Sequence, residues 1–270
     1  MNTPWNPSVL MIGRERLFYS GLAGNSKKPR NLGSFSLYCA TEGTFQIAIG
    51  VGEWAECEVA LVAPYQSHRL VSPTGAIHNL GFEPESLSPA AQVRLGELVQ
   101  NPDSRKRVLT RVREQRDQLG QVLSQGFMTA EFDWLFLGER LEARQMEPRI
   151  TSILELMCND LEDCTVSAED YAREIFLSPS RFLHLFKLNT GVSFRSLRMW
   201  KRARRFLDHA SGDNSLTDVA LDLGYPDSSH FSHSIRRTYG LKPRSIRQGS
   251  RHLKVYPGAN YTLAPENWAS

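Results

Sequence analysis

The sequence predicts an α+β protein in which a β-rich N-terminal domain precedes an all-α C-terminal domain. Between residues 32 and 82, short apolar runs alternate with glycine, proline and polar turns, which is typical of β-strands. Beyond residue 88, apolar residues recur at helical spacing instead. The 270 residues carry a net charge of +3, but residues 175–253 hold 14 Lys and Arg against 5 Asp and Glu, a net of +9. The length allows two cores, and the basic end favours a polyanionic partner.

The N-terminal domain is predicted to consist of strands followed by helices. Residues 1–28 contain scattered prolines and glycines and are expected to be irregular. The strand segments then read SFSLYCA, GTFQIAIGVG, AECEVALVAP, HRLVS and AIHNLGF. Helices are expected from Ala90 to Gln100 and from Asp103 to Ser124, because helical spacing follows capping residues there. A last helix and a linker occupy residues 127–146.

The longer of these helices has apolar residues spaced alternately four and three apart, with one polar interruption. This spacing is typical of a coiled-coil seam and indicates a homodimer contact. Packing of the same side chains on the β unit is an equal alternative, because barely two and a half heptads are present. The predicted seam consists of Val108, Val112, Gln115, Leu119 and Val122.

The C-terminal domain opens with a helix predicted at residues 150–161, and a helix-turn-helix follows at residues 167–191. Ser167 and Asp170 stand at capping-box spacing, so the first helix begins there. Ser178 is placed to cap the second helix, in which Phe182 and Phe186 lie one turn apart on one face. That apolar face is predicted to be buried.

A second copy of this pattern occupies residues 215–247. Gly224 is expected to end its first helix, because glycine takes positive φ without strain. After the turn, Asp227 or Ser228 is placed to cap a helix whose inward face holds Phe231 and Ile235. Two copies of one pattern indicate a repeated structural unit.

The outward faces of the two second helices carry hydroxyls, imidazoles and positive charges, which are the groups that donate to phosphates and base edges of DNA. Residues 193–210 are predicted to form one connecting helix of about 25 Å. It could hold the two units about one DNA turn, about 34 Å, apart. Its basic residues Lys201, Arg202, Arg204 and Arg205 are interpreted mainly as a solvated face. The predicted DNA-binding residues are Ser180, Arg181, Leu183, His184, Lys187, Ser228, Ser229, His230, Ser232, His233, Arg236 and Arg237.

Residues 150–247 resemble the AraC/XylS family of transcriptional regulators, whose DNA-binding domain joins two helix-turn-helix units by a helix. The most specific segments are SPSRFLHLFKLNTGVSFRSL at 178–197 and DVALDLGYPDSSHFSHSIRRTYGLKP at 218–243. The chain departs from the family pattern at Phe176, where glycine is usual, and at Ile235, where phenylalanine is usual. His184 and His233 stand where arginine is frequent.

The resemblance implies a sequence-specific regulator of transcription that reads two adjacent major grooves of double-stranded DNA and is not an enzyme. It favours activation through contact with RNA polymerase. By position, residues 1–147 would be a cupin-like barrel that binds a small-molecule effector or regulatory protein or supports a homodimer. Residues 148–252 would be the DNA-binding domain, and residues 253–270 a tail without assigned function. A cytoplasmic location is expected.

Several aromatic and histidine side chains in the strands could line an effector pocket, although the core of any barrel needs the same alternation. The core interpretation is favoured. A cupin metal site would gather a His-x-His pair and a glutamate, which this sequence lacks, so no metal or other cofactor is predicted. The pocket candidates are Tyr38, Phe45, Ile47, Trp54, Tyr65, His68 and His78.

Two enzymatic alternatives remain: a cupin-type metalloenzyme, and a DNA-repair alkyl-transferase that carries a similar DNA-binding module. The latter would need reactive cysteines clustered around zinc near its N-terminus. The cysteines here, Cys39, Cys57, Cys158 and Cys164, have no metal-ligand spacing and are interpreted as free thiols.

Overall fold

The computed structural model of the chain describes residues 8–21, 28–122, 126–159 and 166–263. No helix in these ranges is long and apolar enough to cross a membrane. The strands are β1 (Val9–Ile12), β2 (Arg16–Gly21), β3 (Phe35–Cys39), β4 (Phe45–Ile49), β5 (Ala55–Cys57), β6 (Val59–Val62), β7 (His68–Val71), β8 (Ile77–Phe82) and β9 (Lys254–Pro257).

The described strands form two open sheets. The larger has the order β6-β3-β8-β2-β1-β9 and the smaller the order β5-β4-β7. The segment predicted as one strand from Ala55 to Pro64 is divided at Glu58 between the two sheets. The β unit expected from the sequence is therefore present, but no closed barrel is found in the described part of the chain.

Three strands of the large sheet lie where none was expected. Strands β1 and β2 occupy a region predicted to be irregular, and β9 belongs to the tail. The tail strand pairs in parallel with β1, with Lys254 opposite Val9 and Pro257 opposite Ile12. Short strands leave a weak local pattern, and the pairing of β9 with β1 joins segments that are far apart in the sequence. The tail, which has no strand or helix periodicity in its sequence, thus supplies one strand of the large sheet.

Three helices cover one face of the large sheet: α1 (Pro89–Gln100), α2 (Pro102–Val122) and α3 (Thr129–Leu137). Ser88 caps α1 by accepting a hydrogen bond from the backbone N–H of Ala91 at 3.1 Å. Arg16 on β2 forms a buried ion pair with Asp133 on α3, at 2.7 Å between Nε and Oδ1. This ion pair attaches the third helix to the sheet.

The predicted dimer seam lies inside this layer. Val108, Val112 and Leu119 are 2%, 0% and 1% exposed and pack in the core beneath the sheet. Gln115 is half-buried, and the side chain of Val122 lies outside the described residues. The seam prediction is corrected, because these apolar side chains are already buried within one chain. Packing on the β unit, the alternative, accounts for the spacing.

The C-terminal helices are α4 (Pro148–Asn159), α5 (Ala168–Glu174), α6 (Pro179–Thr190), α7 (Phe194–Arg205), α8 (Leu216–Asp222), α9 (Ser228–Tyr239) and α10 (Pro243–Gly249). The connecting helix α7 is shorter than predicted and continues as a 3-10 turn over Phe206–His209. At about 1.5 Å per α-helical residue and about 2 Å per 3-10 residue, helix and turn together still span roughly 26 Å.

The C-terminal domain packs against the opposite face of the large sheet through a contact that we call the domain seam. Its polar centre is Glu83, just after β8, which is 2% exposed. One carboxylate oxygen accepts a hydrogen bond from Trp200 Nε1 at 2.8 Å and lies 3.1 Å from Lys201 Nζ. The other lies 3.0 Å from Arg204 Nε. Glu85 also pairs with Lys201, at 2.6 Å.

Backbone and ring contacts extend the domain seam on both sides of this centre. The N–H of Asn31 donates to the carbonyl of Thr238 on α9 at 2.9 Å. Gly33 lies so close to Trp200 that an added Cβ would stand 2.2 Å from the indole Cγ. Towards the tail, the Tyr261 hydroxyl donates to Asp208 at 2.8 Å. The second helix-turn-helix is therefore held to the sheet from several directions.

Candidate nucleic-acid interface

The helices α5, α6 and α9 begin after capping residues that the sequence predicted. Ser167 and Asp170 form the reciprocal capping box, with backbone-to-side-chain distances of 3.2 and 3.0 Å. Ser178 caps α6, and Asp227 caps α9 by accepting from the N–H groups of Ser229 and His230 at 2.8 Å each. These caps satisfy donors that helix termini leave unpaired, so local sequence fixes where the outward faces begin.

The inward faces of α6 and α9 are fully packed. Phe182 and Phe186 are 0% exposed and meet Phe194 edge-on, with ring centroids 5.4 Å apart in each pair. In the second unit, Phe231 is 2% exposed and packs against Phe206 at 5.2 Å. Because these residues anchor one face of each helix, the residues between them must face outward.

The outward positions of α6 and α9 face solvent as the spacing predicted. Leu183 is 43% exposed. Ser232 is the half-buried exception. The exposed set is Ser180, Arg181, Leu183, His184, Lys187, Ser228, Ser229, His230, His233, Arg236 and Arg237. Two helix faces rich in hydrogen-bond donors and positive charge are thus available to an anionic partner.

Among the described hydrogen bonds, the Asp227 carboxylate is the one acidic group that bonds to residues of this exposed set, namely Ser229 and His230. The hydrogen bond from the His230 backbone N–H, together with that from its imidazole, holds the pKa of Asp227 below its ordinary value. The imidazole Nδ1 lies 2.7 Å from the carboxylate. The cap thereby orients His230 at the start of α9.

Phe176 occupies the left-handed position in the first turn, with φ of 56°. Gly224 takes the equivalent position in the second turn with φ of 69°. The hydrogen-bond pattern is the same in both turns: Leu177 N–H donates to Ala172 at 2.8 Å, and Tyr225 N–H to Ala220 at 2.9 Å. The geometry usual for glycine is therefore kept with phenylalanine, whose ring is 95% exposed. A backbone strain is built into the first turn.

The basic run on α7 is divided between two roles, which corrects its interpretation as a solvated face. Lys201 and Arg204 are turned into the domain seam, and the guanidinium of Arg204 also donates to the carbonyl of Gly13. Arg202 lies over the ring of Tyr225 at 5.3 Å. Sequence spacing missed this role because the partner carboxylates are more than a hundred residues away in the chain.

A basic groove lies between α7 and α9, and sequence reasoning did not predict it. Its volume is about 530 Å³, and residues Asn31, Gly33 and Tyr65 of the N-terminal part close one side. None of the described residues that line it is acidic. The cationic and imidazole side chains in its walls are Arg195, Arg202, His230, His233 and Arg237. Part of the predicted DNA-binding face therefore borders a cleft that the N-terminal part helps to form.

The seven predicted effector-pocket residues do not line one cavity. Tyr38 and His68 are buried and hydrogen-bonded to each other at 2.8 Å between the two sheets, near Phe45 and Ile47. His78 points to the other face of the large sheet, where its Nδ1 lies 3.0 Å from Ser20 Oγ.

The two remaining candidates lie apart from that cluster. Trp54 is 40% exposed beneath Arg69. Tyr65 lines the basic groove, with a left-handed φ of 60°. The pocket prediction is corrected, because strand alternation sends the set to different faces.

Burial is the main cause that lowers the pKa of His68 to about 4 and the pKa of His78 to about 3. Both imidazoles are therefore neutral at physiological pH and serve as hydrogen-bonding core residues. No group of three or more potential metal ligands occurs in the described ranges. Cys39 and Cys57 are free thiols whose pKa values burial raises, to about 12 and about 11. The side chain of Cys158 and the whole of Cys164 lie outside the described residues.

Comparison with known proteins places residues 171–249 in a family described as a helix-turn-helix domain. The HTH-type transcriptional activator RhaS of Escherichia fergusonii is 40% identical over 88 residues, 31% of this chain and 31% of that protein. The bifunctional transcriptional activator/DNA repair enzyme Ada of Escherichia coli is 32% identical over 108 residues, 40% of this chain and 29% of Ada. The match to Ada lies in the helix-turn-helix region.

A solved structure extends the likeness beyond this domain. ToxT from Vibrio cholerae, at 12% identity and a TM-score of 0.51, covers 87% of this chain and 98% of its own. At that identity the likeness concerns the fold alone. The chain spans less than a third of the length of RhaS and of Ada.

The C-terminal domain is a helix-turn-helix domain with two units, by its geometry and by the family match. The resemblance to AraC/XylS regulators is confirmed for the C-terminal domain, which is the part that this chain shares with the curated relatives.

Proposed function

We propose that this protein is a sequence-specific DNA-binding regulator of transcription. The observation that carries the proposal is the pair of anchored helices, α6 and α9, each with its aromatic face buried and its basic face exposed. A charged helix face on a packed scaffold suits the major groove, which is wide enough for an α-helix. The relatives' names, which include transcriptional activators, support the same class of function.

In this proposal each of the two helices enters one major groove on the same face of the duplex. The connecting helix and turn of roughly 26 Å support such spacing, because successive grooves on one face recur every turn, about 34 Å. Phosphate contacts set the register, and a few side chains discriminate bases. Arg181, near the start of α6, is assigned to a base edge. Arg236, in the last turn of α9, is assigned to phosphate.

The remaining assignments concern the whole chain. We propose that residues 148–252 are the DNA-binding domain and that residues 1–147 pass a signal to it from a small molecule or a partner protein. The domain seam is the physical route, because it fixes the second unit relative to the sheet. Activation is favoured by the relatives' names, which include transcriptional activators, and we propose that it acts through contact with RNA polymerase. A cytoplasmic location follows from this function.

Footprinting of the full chain on genomic fragments tests the proposal. Two protected regions one turn apart on one face of the duplex are expected. On a selected fragment, Arg236→Ala should weaken binding to all sequences and reduce the salt slope by about 1. Arg181→Ala should relax preference at one or two base pairs, at about 1–3 kcal/mol.

Arg107→Ala, an exposed arginine on α2, is the matched control and should leave binding unchanged. If all three variants bind as the parent does, the two helix faces do not contact DNA. A chain that protects no fragment would refute the proposed function itself.

A further inference from the structure

A cavity of about 110 Å³ lies within the domain seam, separate from the basic groove. The large sheet supplies one wall, including Leu10, Leu17 and Ile77. The C-terminal domain supplies the other, including Leu207 and Ile246. Since each wall belongs to a different part of the chain, anything bound there contacts both.

The walls are mainly apolar but include the polar residues Arg30, Ser34, Asn79 and Glu83. Asn79 on β8 lies directly opposite Tyr19 on β2 and Tyr38 on β3, so the three side chains share the face of the sheet that lines the cavity. The carboxamide oxygen of Asn79 is shielded from solvent and has no hydrogen-bond partner among the described residues. A buried acceptor without a hydrogen-bond donor lowers the stability of the folded chain, so a donor from a ligand would be favourable here.

The volume of the cavity and the Asn79 carboxamide in its wall together limit the kinds of molecule that it can bind. An apolar cavity of about 150 Å³ holds a single benzene ring, so about 110 Å³ suits a compact molecule of roughly one ring and excludes long chains. A hydroxyl group matches a carboxamide in either orientation, because it both donates and accepts. Mainly apolar walls with a few polar groups are typical of small-molecule sites.

We propose that this cavity binds a small hydroxylated aromatic or branched apolar molecule, whose hydroxyl pairs with the Asn79 carboxamide. Such a ligand stabilises the packing of the C-terminal domain on the sheet, because it fills a void between them. Binding itself does not depend on DNA. Its regulatory consequence rests on the proposed function, since it acts on the spacing of the recognition helices.

Phenol and toluene, which have nearly the same shape, provide the test by calorimetry on the full chain without DNA. Phenol should bind at least about tenfold more tightly than toluene, as expected when a site is built to hydrogen-bond a hydroxyl. Saturating phenol should raise the unfolding temperature by a few degrees, as ligands of the folded state do. The longer 4-phenylphenol should not bind.

Variants separate the cavity from adventitious binding. Asn79→Leu should abolish the preference for phenol while toluene still binds, and Ala210→Leu should exclude both by filling the cavity. Gln118→Leu, on the exposed face of α2, should behave as the parent. Urea midpoints identify any variant that fails to fold, and a misfolded Ala210 variant leaves the Asn79 comparison decisive.

Equal binding of phenol and toluene would overturn the hydroxyl assignment, and no binding of either would overturn the site. Binding of 4-phenylphenol would overturn the size argument. If phenol binds but leaves the affinity for a selected DNA fragment unchanged, the regulatory part is overturned alone. A chain that binds phenol but no DNA would refute the proposed function and leave the cavity standing.

Discussion

Replacing Glu83 with glutamine removes the charge at the centre of the domain seam and keeps nearly the same shape. The glutamine amide oxygen can still accept from Trp200 Nε1, which lies 2.8 Å from the carboxylate. The ion pairs with Arg204 and Lys201, at 3.0 and 3.1 Å, are lost. The substitution therefore isolates the electrostatic part of the contact.

The expected cost follows from burial. The side chains of Glu83 and Arg204 are 2% and 5% exposed, so the guanidinium would remain in the interior without its carboxylate. Breaking a buried pair typically costs 3–5 kcal/mol. Lys201 keeps Glu85, and Arg204 keeps the carbonyl of Gly13, so we expect the lower end, about 3 kcal/mol. For a chain of this size that is a fall of roughly 6–12 °C in unfolding temperature.

Urea and thermal unfolding of the full chain measure this loss. Glu97→Gln is the matched control, because Glu97 pairs with Arg94 at side-chain exposures of 54% and 43%. An exposed pair of this kind should cost less than about 0.5 kcal/mol. If Glu83→Gln lowers the free energy of unfolding no more than this control does, then the buried carboxylate does not hold the domains together. The electrostatic role assigned to Glu83 in the domain seam would then be wrong.

Two further predictions concern backbone strain and pH. Phe176→Gly should raise the free energy of unfolding by about 0.5–1 kcal/mol, because glycine relieves the left-handed strain and removal of the exposed ring costs no packing. Phe176→Ala, which keeps a Cβ, should not raise it. Equal effects of the two substitutions in urea unfolding would exclude strain as the cause. The pKa of His78 is lowered to about 3 in the folded chain, so its stabilising contribution is complete above the unfolded value of about 6.5 and falls as the pH drops towards 3. Between pH 7 and 5 the loss should reach about 2 kcal/mol, and His78→Gln should remove it; a parent and variant with the same pH dependence would contradict this.

The helical half of the molecule follows closely from its sequence. Capping residues such as Ser178 and Asp227 act within three positions of themselves, and the spacing of Phe231 and Ile235 defines an inward face by helix geometry alone. These interactions are local, so the bounds of α6 and α9 and the exposure of their outward residues could be predicted. The left-handed φ of Phe176 could not be predicted from its residue type, because a bulky side chain resists positive φ.

The predictions that failed concern contacts between residues that are far apart in the sequence. Val112 and its neighbours on α2 have the spacing of a coiled-coil seam. Periodicity shows which face of a helix is apolar, but it does not show what that face packs against. The predicted strands between residues 34 and 82 are present, yet their division between two sheets depends on pairings that no single segment encodes. The pocket candidates separated for the same reason, since His78 and Tyr38 lie on opposite faces of one sheet.

By itself, the sequence determined two helix-turn-helix units, their caps, and the basic faces that they expose, because each depends on neighbours within one or two helical turns. Only the tertiary structure decided that Arg204 meets Glu83, that β9 completes the sheet beside β1, and that a cavity remains between the two parts. Such contacts join residues distant along the chain, and their energy is gained only when the whole chain has closed around them.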